Sequence, residues 1–214
     1  MGFIHTINEA FTEGGWGMWP ILALSIFSVG IIIDRTVYLL RATIDKRQFM
    51  GLMSKLIAQG NVAQAIKVCS GTSKPMTRIV QAGLMKVNKS DAEVQAAMDE
   101  MALREMPLIE RRTGYLAMIG NVATLAGLLG TIVGLIHSFG AVAGVDPSQK
   151  ATMLAKGISE AMNCTAFGLL VGIFSLLGFS VLNGKTQAIL DDINEVTAQV
   201  MNLISGSRQP AAPR

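Results

Sequence analysis

Polar side chains that are expensive to place in an apolar stretch are concentrated in two parts of this 214-residue chain. Residues 114–145 contain no formal charge, yet carry Asn121, Thr124, Thr131, His137 and Ser138. Residues 161–184 are also uncharged and carry Asn163, Thr165, Ser175 and Ser180, with Glu160 immediately before them. Within a bilayer such groups face a protein interior or a wet path. A single Ser or Thr is satisfied by its own helix carbonyl, but this concentration on two segments points to a shared polar interior. Two readings stay open for Glu160: an interfacial carboxylate favoured by a helix N-terminus, or a proton or cation acceptor at a channel mouth. His137 reads as a residue lining that mouth or facing headgroups rather than as a relay member.

Other chemistries lack their residues. There is no glycine-rich phosphate loop with a following lysine, no Cys/His spacing for a metal and no supported Ser/His/Asp set. No enzyme, cofactor or metal is expected. Cys69 and Cys164 are too few for a metal framework and read as free thiols used as small apolar residues. The glycines of these segments fall in rows of small residues four apart: Ala126, Gly130 and Gly134 in one, Cys164, Gly168 and Gly172 in the other. Such rows let helix backbones approach in a membrane, so both segments are expected to lie close to a neighbouring helix.

The elements that must position these residues follow from hydropathy. Half of the residues are hydrophobic, only 15% are charged and mean hydropathy is +0.45, against about 25% charged in soluble domains. A first apolar run, Trp16 to Ile33, is long enough to cross a bilayer. It opens on Trp16 and Trp19, which suit the headgroup layer, and has Pro20 in its first turn. With only Ser25 and Ser28 as polar residues, it reads as lipid-facing. Between Arg35 and Arg112 lie 13 of the 18 Lys and Arg residues. Apolar residues there recur at helical spacing (Phe49, Leu52, Met53, Leu56, then Ile79, Val80, Gly83, Leu84, Val87). Breaks fall at residues 59–61, 70–72 and 88–91, which predicts three to four helices. Ser90 and Glu93 form a capping box for a helix that is expected to run directly into the second span. Asp146-Pro147-Ser148 reads as a turn in a short loop. Ile189, Ile193, Val196, Val200 and Leu203 mark a final amphipathic helix, and SGSRQPAAPR reads as a disordered tail.

The expected fold class is therefore an all-α integral membrane protein with three transmembrane helices and a cytoplasmic helical subdomain. Spans two and three extend into the cytoplasm. The expected order is a periplasmic segment 1–15, span one 16–40, a cytoplasmic subdomain 41–112, span two 113–143, a periplasmic loop 144–159, span three 160–184 and a cytoplasmic helix and tail 185–214. Orientation comes from the excess of Lys and Arg between the first two spans. The N-terminus has no positive region or separate apolar core, so no cleavable signal peptide is expected. A net charge of +3 without a clustered basic face argues against nucleic acid.

GLLGTIVGLIHSF (127–139) and GISEAMNCTAFGLLVGI (157–173) resemble the paired motifs of the MotA/TolQ/ExbB proton-channel family. The likeness extends to GGWGMWPILALS with IIIDR, and to GNVAQAIKVCS. Three spans resemble the TolQ/ExbB branch rather than the four-span MotA branch. The resemblance implies that Thr131, Thr165, Glu160 and Asn163 line the pore and its proton pathway, with Glu160 as the family's acidic residue and Asn163 adding polarity to the pore surface. Gly127, Gly130, Gly134, Gly168 and Gly172 would serve helix packing. Two departures stand out: Thr124 where many members have proline, and Asn163 where an apolar residue is common. The family implies a homo-oligomeric ring, typically a pentamer, around two copies of a single-span ExbD/TolR-like partner that supplies a membrane aspartate. It further implies an inner-membrane location, coupling of proton motive force to work on an envelope effector, and TonB-type import, Tol-type envelope maintenance or gliding motility as its setting. A membrane scaffold with no part in ion conduction is the alternative. An autonomous transporter is disfavoured by the lack of an inverted repeat.

Overall fold

The computed structural model describes Gly15 and residues 17–208. The expectations for the N-terminal segment, for Trp16 and for the last residues of the tail (209–214) lie outside the described residues. Every regular element described is helical: α1 (Met18–Ala42), α2 (Lys46–Ala58), α3 (Val62–Ser70), α4 (Pro75–Leu84), α5 (Asp91–Glu110), α6 (Thr113–Ala141), a 3₁₀ turn (Val142–Gly144) and α7 (Pro147–Arg208). Three helical stretches are long and apolar enough to cross a membrane. The chain divides into two compact units, one of residues 1–34 with 112–182 and one of residues 35–111 with 183–214.

In the first unit, α6 and α7 pack through their small residues. A Cβ built on Gly168 would lie 2.7 Å from the Ala123 carbonyl oxygen and 2.8 Å from the Gly127 Cα. One built on Gly127 would lie 3.1 Å from the Cys164 carbonyl oxygen. Gly134 meets Ala161, and Gly120 meets the Gly172 carbonyl oxygen, in the same way. The neighbour anticipated for each glycine row is thus the other helix of the same chain. Backbone touches backbone, so dispersion and close packing can hold the pair where burial from water offers little.

Span one keeps a broad exposed apolar face, but its other face packs within the unit. Its Ser28 is buried and its hydroxyl lies 2.7 Å from that of buried Ser175 on α7. Met18 and Ile21 join Ala123, Cys164 and Val171 in one buried cluster. A paired hydroxyl is cheap in an apolar setting, so two serines fasten the helices where either alone would be a liability. Ile26, Phe27, Val29 and Ile33 remain exposed on the other face.

The second unit builds its core from short capped helices. Asp45 caps α2 by accepting from the backbone N–H of Arg47 and Gln48 at 3.0 and 3.2 Å. Asn61 caps α3, and Ser90 with Glu93 forms the capping box of α5. The break at 59–61 falls where it was expected, while those expected at 70–72 and 88–91 fall at 71–74 and 85–90, so Val87 lies beyond the end of α4. Phe49 and Met53 are buried, as are Ile79, Val80, Gly83 and Leu84, but Leu52 points outward. A Cβ on Gly83 would collide with Met98 of α5, 2.5 Å from its Cγ. Ile189, Ile193, Val196, Val200 and Ile204 bury one stripe of α7, and Lys46 bridges Asp192 and Glu195 at 2.7 Å each. Those bonds, first to Asp192 and then to Glu195, hold the ammonium above its usual range.

Two junctions differ from expectation. First, α5 does not run into α6. Pro107 lacks the N–H for one rung of the ladder, α5 ends at Glu110, and Arg112 takes a left-handed φ of 66°. Second, residues 147–159 are not loop. Pro147 opens α7, a position that suits its fixed φ and absent N–H, and α7 continues for 62 residues. The span and the tail helix are one helix.

Candidate functional site

The glycine crossing decides where the threonines go. Thr131 lies four residues after Gly127, on the same face of α6, while Thr165 follows Cys164 by one residue, about 100° round α7. The close approach at Gly127 brings both hydroxyls to one place. They contact each other, Thr165 donates to the Gly127 carbonyl oxygen at 2.9 Å, and Thr131 lies 3.2 Å from that oxygen and 3.3 Å from the Ala161 carbonyl oxygen. Two hydroxyl hydrogens therefore serve a cluster of four oxygens. What remains to offer is lone pairs, so the cluster suits an incoming donor such as a protonated carboxyl group. Both threonines are half-buried, and Leu128 and Leu169 beside them are exposed. The pair sits at the edge of the crossing rather than within it.

Thr124 donates to the Gly120 carbonyl oxygen at 3.0 Å, and α6 continues through it unbroken. The residue standing where proline is common in the family thus keeps its helix regular.

A second cluster lies near the other ends of the crossing. His137 and Ser138 of α6 and Met153, Lys156, Gly157 and Glu160 of α7 line an open cavity of about 320 Å³. The Glu160 carboxylate rests against Gly15, whose φ of 65° and lack of a side chain leave room for it; a Cβ there would meet Glu160 Oε1. Glu160 and His137 were singled out from sequence separately, and the structure joins them. Lys156 was not singled out, although its spacing four residues before Glu160 placed both on one helix face.

Asn163 belongs to neither cluster. It follows Glu160 by three residues but precedes Thr165 by two, so about 200° of α7 separates it from the threonine. It is half-buried and lies outside the cavity lining. Of the glycines assigned to helix packing, Gly127, Gly168 and Gly172 are buried and Gly130 and Gly134 half-buried. Cys164 occupies the junction of all three helices, its Sγ against Gly130 and 3.0 Å from a Cβ built on Gly17. Among the described residues no group of three or more His, Cys, Asp or Glu could hold a metal.

The sequence model of the MotA/TolQ/ExbB proton channel family matches residues 71–195, which include the glycine crossing, both threonines and the cavity. The chain belongs to that family. It is similar to the biopolymer transport protein ExbB of Pseudomonas putida, with 25% identity over 218 residues, 94% of this chain and 66% of that protein. It is also similar to the Tol-Pal system protein TolQ of Haemophilus influenzae, with 30% identity over 189 residues, 80% of each chain. An ExbB homolog of Methanothermobacter thermautotrophicus is 27% identical over 194 residues, 90% of this chain and 68% of that one. This family member is thus TolQ/ExbB-like, with the three spans of that branch.

Proposed function

We propose that this chain is the channel-forming stator subunit of an inner-membrane motor that couples proton motive force to mechanical work at the cell envelope. The observation that carries the proposal is the Thr131–Thr165 hydroxyl pair seated on the Gly127 carbonyl oxygen. No Asp or Glu occurs in residues 114–145 or 161–184, so a titrating carboxyl group in the membrane has to come from another chain. A single-span ExbD/TolR-like partner supplies it, two copies inside a ring of, typically, five. When that carboxyl is protonated, the threonine lone pairs accept its O–H. When it is ionised, either hydroxyl rotates away from its backbone acceptor and donates to it. The pair serves both protonation states without moving a helix. A proton crossing the full potential delivers about 2.3 kcal/mol per 100 mV, which neutralisation of the partner acid converts into movement within the ring.

In this reading the excess of Lys and Arg in residues 35–112 faces the cytoplasm, with the N-terminus and the Glu160 cavity on the periplasmic side. TonB-type import, Tol-type envelope maintenance and gliding motility are settings in which such a subunit drives an envelope effector. The test is proton flux in liposomes holding the chain with its co-expressed single-span partner. Replacing Thr131 and Thr165 together by Val is expected to abolish potential-driven proton uptake while the complex still assembles. Uptake that persists in an assembled complex sinks the channel role and favours a scaffold whose threonines only satisfy backbone.

A further inference from the structure

The cavity of about 320 Å³ between α6 and α7 is lined by three titratable side chains, those of His137, Lys156 and Glu160. Lys156 and Glu160 have the spacing that puts two residues on one helix face, about 6 Å apart along the axis. The same spacing joins Lys89 to Glu93 at 3.9 Å and Arg104 to Glu100 at 2.6 Å. Among the described residues no such ion pair closes between Lys156 and Glu160. Ammonium and carboxylate therefore both act on whatever enters the cavity.

A carboxylate standing alone in a cleft draws counter-ions, because low-dielectric walls focus its field. Size does not keep them out here, since the open cavity has room for an alkali cation that is still partly hydrated. A fixed ammonium does keep them out. It cancels the charge of the carboxylate, and no net attraction is left for a third ion. A proton is treated differently. It forms an O–H bond on Glu160 or an N–H bond on His137 and leaves its water behind, so it needs no shell of coordinating oxygens. Imidazole accepts a proton readily, whereas hard cations favour oxygen ligands. The hydroxyl in the lining, that of Ser138, is committed to the Gly134 carbonyl oxygen at 2.7 Å.

We propose that Lys156 makes this path selective for protons, by keeping hydrated alkali cations away from the Glu160 carboxylate. The inference rests on the channel reading above, in which the cavity is the periplasmic end of the proton path.

The test uses liposomes holding the chain with its co-expressed single-span partner. External choline is replaced stepwise by sodium at constant ionic strength while potential-driven proton uptake is followed. Sodium should inhibit Lys156→Gln at concentrations roughly tenfold below any that affect the unmodified complex, the effect of one charge about 6 Å away. Lys156→Arg, which keeps the charge, should behave as the unmodified complex does, and so should Lys150→Gln, outside the cavity. Both lysines are exposed, so these substitutions remove no packing. Sodium-23 line widths of the assembled complex in detergent read the same contact without conduction. Lys156→Gln should broaden the sodium resonance, and Glu160→Gln added to it should remove the broadening. Equal sodium sensitivity in conducting Lys156→Gln and unmodified complexes overturns the proposal. So does broadening that persists without the Glu160 carboxylate. If no complex takes up protons, the unmodified one included, the channel reading fails instead, and the line widths alone decide whether Lys156 guards Glu160.

Discussion

At the scale of single residues, hydroxyl chemistry and burial make separable predictions. Thr131→Val should cut partner-dependent proton flux by roughly tenfold, since losing a buried hydrogen-bonding group costs about 1–3 kcal/mol. Thr131→Ser, which keeps the hydroxyl, should restore most of it in the same liposome assay. If the valine variant conducts normally, hydrogen bonding at this position is irrelevant to transfer. Cys69 offers a test in the other unit. It is 1% exposed beside Met53, with Sγ to Sδ at 3.9 Å, and burial pushes its thiol from an ordinary value of 9.0 up to about 11. The folded protein then holds this proton more tightly than the unfolded chain does. Stability should therefore fall as pH rises from about 9 to about 11, by about 2–3 kcal/mol at roughly 1.4 kcal/mol per unit. Cys69→Ala should flatten that part of the profile in denaturant titrations, and an unchanged slope would assign the loss to other groups. The threonines were legible in sequence because hydroxyls in an uncharged segment are conspicuous. Asn163 was conspicuous for the same reason, but conspicuousness carries no direction. Counting about 100° per residue from Thr165 would have set it on another face, as the structure does.

At the scale of helices, the glycine crossing is the most exacting contact. Gly168→Ala would bring a methyl group within 2.7 Å of backbone that cannot swing away, and overpacking of this kind costs about 1–3 kcal/mol. It should also part the two threonines, so flux should fall with stability. Gly30→Ala on α1, which has open space around it, should be neutral or gain about 0.5–1 kcal/mol from helix propensity. Thermal unfolding of the two variants in detergent distinguishes them; equal melting temperatures would mean that the crossing is looser than described. The existence of the helices was readable from hydropathy, and the start of α5 from the capping box of Ser90 and Glu93. The extension of span three past the membrane was expected too, but its start at Pro147 and the gap before α6 were not. Asp146-Pro147 reads as a turn because proline ends helices, yet it starts them equally well, and only packing selects between the two. The gap at Arg111–Arg112 carries no glycine; its nearest signal, Pro107, lies four residues before Arg111, within α5.

For the whole molecule, the decisive feature is an acid that the apolar segments do not contain. Liposomes holding this chain alone should pass no more protons than empty ones, with flux appearing only on co-reconstitution of the single-span partner. Flux from the chain alone would require a proton carrier that residues 114–145 and 161–184 do not supply. The broad exposed apolar faces of α1, α6 and α7 were implied by composition, whereas the way the three helices share Cys164 was not, because sequence lists small residues without saying which of them meet. At 62 residues α7 is about 93 Å long, and between Thr165 and Ile204 its ladder has no proline to interrupt it. The two cytoplasm-side continuations are therefore unlike at the level of the backbone: the hydrogen-bond ladder of α7 runs on past the apolar run, whereas the ladder of α5 stops at Glu110 and a new one starts at Thr113.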